Sequence, residues 1–426
     1  MPLTLPSPRL RGEGEQAPRD SMTQNNLLSV DDALARVLRD ARLLGVEDAA
    51  LAAARGRTLA GDLVARRTQP PVDVSAMDGY ALRAADLARG PVTLVGESAA
   101  GHGYGAALAP GEAVRIFTGA PVPVGADAIL LQEDADAAEG LLRARPGASA
   151  GAHIRTAGLD FHEGRAAIAA GRRLGPAELA LAAAMNHAIL SVARRPRVAL
   201  IASGDELVPP GAEPGPSQII SSNNFAVAAI AESAGAEVID LGIFRDDLAE
   251  LERAIGLARD AQADVIVTLG GASVGDRDLL RPALARQGMT LDFWKIAMRP
   301  GKPLISGRLG PAHILGLPGN PVASIVCALV FLAPLIRALQ GDPDAGKDQT
   351  ERAIAGADLP ANKGRRDYMR AQLVTDAEGR LIATPQPMQD SSLLTELAQS
   401  QALLIREPGE PPLPAGAPCR IWRLQG

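Results

Sequence analysis

The chain holds only four lysines among its many arginines, and two of them, Lys295 and Lys302, fall in the stretch WKIAMRPGKP with Arg299 between them. Pro300 and Pro303 stiffen that stretch, its flanks are apolar, and Trp294 adjoins it. A solvated charge run is the ordinary reading of three nearby cations; a stiff loop with apolar flanks points instead to a fixed anion. Carboxylates gather in comparable stretches. Asp205 and Glu206 stand in SGDEL, Asp246 in RDD, and Asp276 and Asp278 in GGASVGDRD, each directly after an apolar run. Like charges at that density repel one another unless a cation sits among them. Oxygen ligands beside phosphate-directed groups suit Mg2+, which keeps waters and is held by one or two carboxylates together with the substrate.

GGASVGDRD lacks both the G-x-G-x-x-G spacing of a dinucleotide fold and the Gly-Lys-Ser/Thr ending of a P-loop. Gly270, Gly271 and Gly275 still allow backbone N–H groups to converge on an anion, with Ser273 as an added donor. In LPGNP, Pro318 and Gly319 lead into Asn320, which can cap a helix, and Pro321 at its first position. Taken singly, the first is a tight strand-to-helix turn with an acidic helix start, and the second a well-formed helix start.

These stretches gain meaning from the elements that must hold them. From 196 to 342 strand and helix patterns alternate: RVALIAS, EVIDLGI, ADVIVTLGG, LDFWKIAM and HILGLP as strands, with helical runs between and after them. Such alternation predicts a mostly parallel, doubly wound α/β sheet covered on both faces. SGDEL, RDD, GGASVGDRD, RPGKP and LPGNP all follow strands, so they line the crevice beyond the carboxyl ends, where ligands of open α/β sheets bind. The fold class is therefore multi-domain α/β. Residues 1–21 read as a disordered extension with a natural start at Met22, residues 22–65 and 164–195 as a helical linking domain, 66–163 as a β-rich domain, and 343–426 as a small C-terminal β-barrel.

At 426 residues the chain exceeds what one core organises, and its net charge of -6 argues against a nucleic-acid partner. Cys327 and Cys419 form no disulfide framework and the five histidines no zinc pattern, which fits a reducing cytoplasm. The N-terminus has no signal-peptide core. The longest apolar segment, Ala323 to Ile336, falls short of the ~20 residues that span a bilayer and contains Pro334, so a buried helix is expected and no membrane.

SAMDGYA, TGAPVPVGADAI, IRTAGLD, SGDEL, GGASVGDRD, FWKIAMRPGKP and LPGNPVAS occur here in the order seen in the molybdopterin molybdenumtransferases, the family that includes the E domain of gephyrin. The resemblance runs from about Met22 to the end. It implies insertion of molybdenum from molybdate into adenylylated molybdopterin, with Mg2+-dependent release of AMP, by a cytoplasmic homodimer of four-domain subunits. An upstream molybdopterin adenylyltransferase and acceptor molybdoenzymes are the implied partners. Carried over motif by motif, it makes Asp78, Glu206, Asp246, Asp278 and Lys295 catalytic, with Glu206, Asp246 and Asp278 as metal ligands. Thr118, Asp160, Ser203, Gly270, Gly271, Ser273, Gly275, Arg299, Lys302, Pro318, Gly319 and Pro321 become binding positions. In the last domain GRRDYMR adds Arg365 or Arg370, and Ser391 follows in QDSSLL, where Asp390 stands in place of a usual glycine. Ala272 likewise replaces a more usual Val or Thr. Two competing readings are the related adenylyltransferase, against which the extra domains and SAMDGYA argue, and a non-catalytic dimeric scaffold of the gephyrin type.

Overall fold

The computed structural model describes residues 27–145, 148–271 and 279–424. They form two compact units. One joins the described residues up to Ala41 with Pro196–Arg337 and those from Asp344 on; the other comprises Arg42–Arg195 and Ala338–Pro343.

The first unit is organised by a six-stranded sheet, in the order Glu237–Phe244, Arg197–Ser203, Val265–Leu269, Ala312–Leu317, Pro303–Leu309 and Thr290–Lys295. The first four strands run parallel and the last two are antiparallel to their neighbours. VIVTL and AHILGL are buried throughout, as strands covered on both faces must be. The helices Leu248–Asp260 and Leu280–Arg286 pack together on one face, burying Leu251, Ile255 and Leu284 against Ile201, Ile266 and Ile314. Asn223–Ser233 packs with the long apolar helix Pro321–Leu339. By length and composition that helix could cross a membrane, yet 72% of its most apolar stretch lies inside the fold, as expected of a core helix.

The sequence pattern misses one strand here. PLISGRL begins with a proline and directly follows the cationic loop, so it reads as loop; in the fold Pro303–Leu309 is a central strand bonded on both sides. A proline is tolerated there because it is the first residue of the strand. RPGKP is consequently a return between antiparallel strands, and it still emerges at the carboxyl edge of the parallel ones.

Five strands after residue 350, Glu351–Ala355, Arg366–Thr375, Leu381–Pro385, Ala402–Arg406 and Pro418–Arg423, close into a barrel through the pairing of Arg366–Thr375 with Ala402–Arg406. Alanines 353, 355, 371, 383 and 402 fill its narrow core with Leu404 and Ile421. A short strand, Met298–Arg299, leaves the cationic loop and pairs with Arg366–Asp367 of the barrel. Helix Val30–Arg39, capped by Ser29 accepting from Asp32 N–H at 3.1 Å, belongs to this unit, and Leu28 bridges to Ile296.

The second unit centres on a six-stranded sheet containing Gly79–Leu82, Val92–Ser98, Glu112–Ile116 and Ala128–Leu131. Around it the expected helical character is only partly realised. Pro176–Ala184 is a helix, but Val46–Ala50 is a strand paired antiparallel with Ile189–Ala193. Gly45 and Gly56 interrupt the helical spacing, and alanines permit either state, so pairing with the β-branched ILSVA run decides.

Candidate active site

The SGDEL and RDD loops leave neighbouring parallel strands at one level, with Ser203 paired to Phe244. Gly204 N–H donates to the Phe244 carbonyl at 3.2 Å and Asp246 N–H to Asp205 Oδ1 at 3.3 Å, which locks the loops together. Glu206 folds its carboxylate to the place that a Cβ on Gly204 would contact, 2.7 Å away. Asp246, though exposed as a residue, is partly desolvated. That burial, followed by the charges of Glu206 and Asp205, raises its pKa above the ordinary carboxylate value, and the nearby Ser203 hydroxyl moderates the shift without forming a hydrogen bond of ordinary geometry. The adjacent Asp247 has a different duty: it caps the next helix, accepting from Ala249 and Glu250 N–H at 2.9 and 3.1 Å.

Beside them lie Gly270 and Gly271. Both have positive φ, and a Cβ on Gly270 would come within 2.6 Å of the Ser203 carbonyl oxygen, so only glycine fits. A Cβ on Gly319 would lie 3.7 Å from Gly270 Cα, and the Gly319 carbonyl accepts from Asn223 Nδ2 at 2.8 Å. Asn320 does not cap its helix with its side chain. Its amide instead donates to Ser391 Oγ at 2.8 Å, and Val322 N–H donates to the Ser391 carbonyl at 3.0 Å. Ser391 thus meets the Pro318–Pro321 turn, where Pro318 is buried and Pro321 half-buried. Ser273, Gly275, Asp276 and Asp278 lie outside the described residues. Among the described residues no three carboxylate, histidine or cysteine groups are placed to hold a metal ion; Glu206 and Asp246 are the two predicted ligands brought together.

The cations divide sharply. Lys295 places its ammonium 3.8 Å from the Trp294 ring centroid. Arg299 forms an ion pair with Asp367, whose carboxyl is raised in pKa by burial and lowered in turn by Arg299, Arg365 and Arg406. Lys302 is exposed, and its carbonyl accepts from Ile296 N–H at 3.0 Å. Arg365 is half-buried, whereas Arg370 is fully buried. Arg370 Nη2 donates to the Met388 carbonyl at 3.0 Å, while Nε and Nη1 have no partner among the described residues. Desolvation lowers its pKa, countered by Glu396 and Asp390. Asp367 and Asn223 escape sequence reasoning, because nothing local announces a partner 68 or 96 residues away.

In the second unit Asp78 is no simple turn residue. Thr118 donates to its Oδ1 through both N–H, at 2.7 Å, and Oγ1, at 2.8 Å. Those two bonds, with Arg115 nearby, hold the Asp78 carboxyl below its usual pKa. Gly79 is required beside it, since a Cβ would lie 2.0 Å from the Leu130 carbonyl oxygen. Asp160 borders a cavity of about 420 Å³ with Gly119, Arg67, Arg155, Pro70 and Leu159. Arg67 is the rim residue that no motif signals.

Comparison with known proteins places these features in context. Three family models match in chain order: MoeA N-terminal region (domain I and II) over residues 28–186, probable molybdopterin binding domain over 199–338, and MoeA C-terminal region (domain IV) over 352–424. The molybdopterin molybdenumtransferase of Haemophilus influenzae is 34% identical over 389 residues, covering 89% of this chain and 95% of its own. Molybdopterin molybdenumtransferase 2 of Mycobacterium tuberculosis is 37% identical over 385 residues, covering 88% and 94%. The crystal structure of a molybdopterin biosynthesis moeA protein from Pyrococcus horikosii matches with a TM-score of 0.78 at 29% identity, covering 94% of this chain and all of that one.

Proposed function

The chain belongs to the molybdopterin molybdenumtransferase family, and on that premise we propose that it inserts molybdenum from molybdate into adenylylated molybdopterin with Mg2+-dependent release of AMP. The observation that carries the reading is the edge of the first unit, where coupled carboxylates, backbone-lined glycine turns and a cationic loop emerge together.

Glu206 and Asp246 fit a hard cation: both are oxygen donors, and the pKa of Asp246 is raised first by burial and then by the charges of Glu206 and Asp205, which a cation relieves. Mg2+ bound there supplies charge neutralisation at the phosphate oxygens. Gly270 and Gly271 keep side chains out of the phosphate path, and a Cβ on Gly319 would meet Gly270 Cα. Lys295 and Lys302 offset the charge of the phosphates while molybdate or water is placed to attack the phosphoanhydride. Arg365 and Ser391 serve the oxyanion, with Ser273 and Asp278 of GGASVGDRD contributing. Asp78, pre-set as a carboxylate by Thr118, and Asp160 supply further substrate contacts. The protein acts in the cytoplasm as a homodimer, receiving its substrate from an adenylyltransferase and passing product to molybdoenzymes.

Purified protein mixed with adenylylated molybdopterin, molybdate and Mg2+ should release AMP, and omission of Mg2+ should abolish that release. Pyrophosphate production from ATP and molybdopterin, without AMP release, would assign the adenylyltransferase reaction instead. Sedimentation analysis tests the dimer.

A further inference from the structure

Trp294 carries two cations. The Lys295 ammonium lies 3.8 Å from its ring centroid and the Arg281 guanidinium carbon 4.2 Å from it. Arg281 stands in the first turn of the Leu280–Arg286 helix, and Lys295 ends the Thr290–Lys295 strand. Groups this close to one centroid are within roughly 8 Å of each other, a separation at which like charges repel appreciably near a protein surface. The π-face of the indole offsets part of that repulsion and fixes where both charges stand. Among the described residues neither side chain has an ion pair or hydrogen bond. Arg299, the cation that sequence reasoning placed between Lys295 and Lys302, is by contrast already neutralised by Asp367.

Two cations without an ion-pair partner among the described residues, held on one half-buried ring, suit an anion with several oxygens, and a guanidinium can engage two of them at once. We propose that Arg281 and Lys295, positioned by Trp294, clamp a tetrahedral oxyanion of the substrate, with Arg281 taking the contact expected of Arg299. The clamp rests on the reaction proposed above. Its oxyanion is either the phosphate of the pterin substrate or molybdate, two sources with shared chemistry.

Equilibrium dialysis of the full-length protein separates them, with molybdate in one arm and AMP as phosphate monoester in the other. Wild type should bind in at least one arm. In that arm Arg281→Ala should weaken binding about tenfold and Arg281→Lys by less, while Trp294→Leu behaves like Arg281→Ala and Trp294→Phe stays within about threefold of wild type. The phenylalanine rescue distinguishes a cation platform from mere packing. Circular dichroism of each variant excludes unfolding as the cause. Binding in neither arm, or wild-type affinity of Arg281→Ala in both, overturns the clamp; unchanged binding by Trp294→Leu removes the positioning role. If wild type binds an oxyanion through Arg281 yet releases no AMP from adenylylated molybdopterin, the reaction falls and the clamp stands.

Discussion

Arg370→Met should make the protein more stable. The Arg370 side chain has 0% exposure, and among the described residues only Nη2 has a partner, the Met388 carbonyl. Leaving a buried donor unmet costs about 1–3 kcal/mol, so Nε and Nη1 together weigh roughly 2–6 kcal/mol against the fold. Removing the guanidinium forfeits one charge-assisted hydrogen bond, a contribution of about 1.5–3 kcal/mol. Met388 is 56% exposed, so water can take over its carbonyl. The net expectation is a gain of about 1–3 kcal/mol, within the range seen when a buried charge gives way to an apolar side chain of similar volume. Trp422 reports on this directly, because its strand pairs with Ala402–Arg406 of the same barrel. Urea unfolding followed by tryptophan emission should show a later transition in the variant. Destabilisation by more than about 1 kcal/mol would mean that both donors are satisfied and that the reasoning is wrong. If Arg370 also serves an oxyanion, molybdate should delay unfolding of wild type and not of Arg370→Met.

Asp246 has its folded pKa raised, so its ionisation disfavours the native state: the penalty is absent below the unfolded value of about 3.9 and complete above the folded one. Asp246→Asn should therefore gain stability relative to wild type as pH rises through that window, and a less stable variant at neutral pH refutes the assignment. Asp78 has the opposite sign. Its depressed pKa contributes stability that is present above about 3.9 and lost as pH falls through the folded value; in Thr118→Ala, carbon NMR titration should show the Asp78 midpoint moving upward. Gly79→Ala forces a Cβ against the Leu130 carbonyl and should cost at least the roughly 1–3 kcal/mol typical of overpacking, read as an earlier urea midpoint, with wild-type stability counting against the contact.

Much of the site was legible because strand ends announce themselves. Val265–Leu269 is a β-branched run that stops at Gly270, and RVALIAS stops at Ser203, so the pattern alone assigns their loops to one edge. The scarcity of lysine singled out Lys295 and Lys302. What stayed hidden is pairing across sequence distance. Arg299 reads as a free cation because its neutralising partner stands 68 residues away in a barrel strand, and Arg281 reads as a helix-surface residue because nothing nearby signals the indole it meets. Val46–Ala50 shows the local version of the same limit: alanine carries so little preference that a partner strand decides its state.

The pairing of Met298–Arg299 with Arg366–Asp367 has a practical consequence for dissecting the protein. The cationic return is the outermost strand of the barrel's sheet as well as a loop of the parallel sheet, and the Arg366 amide donates to the Ala297 carbonyl at 2.9 Å. Cutting the chain before the barrel would therefore expose an unpaired strand edge at the very loop proposed to handle anions. A truncated α/β domain could keep its core and still lose the shape of its binding edge, so activity lost on truncation is no evidence that the barrel performs chemistry itself.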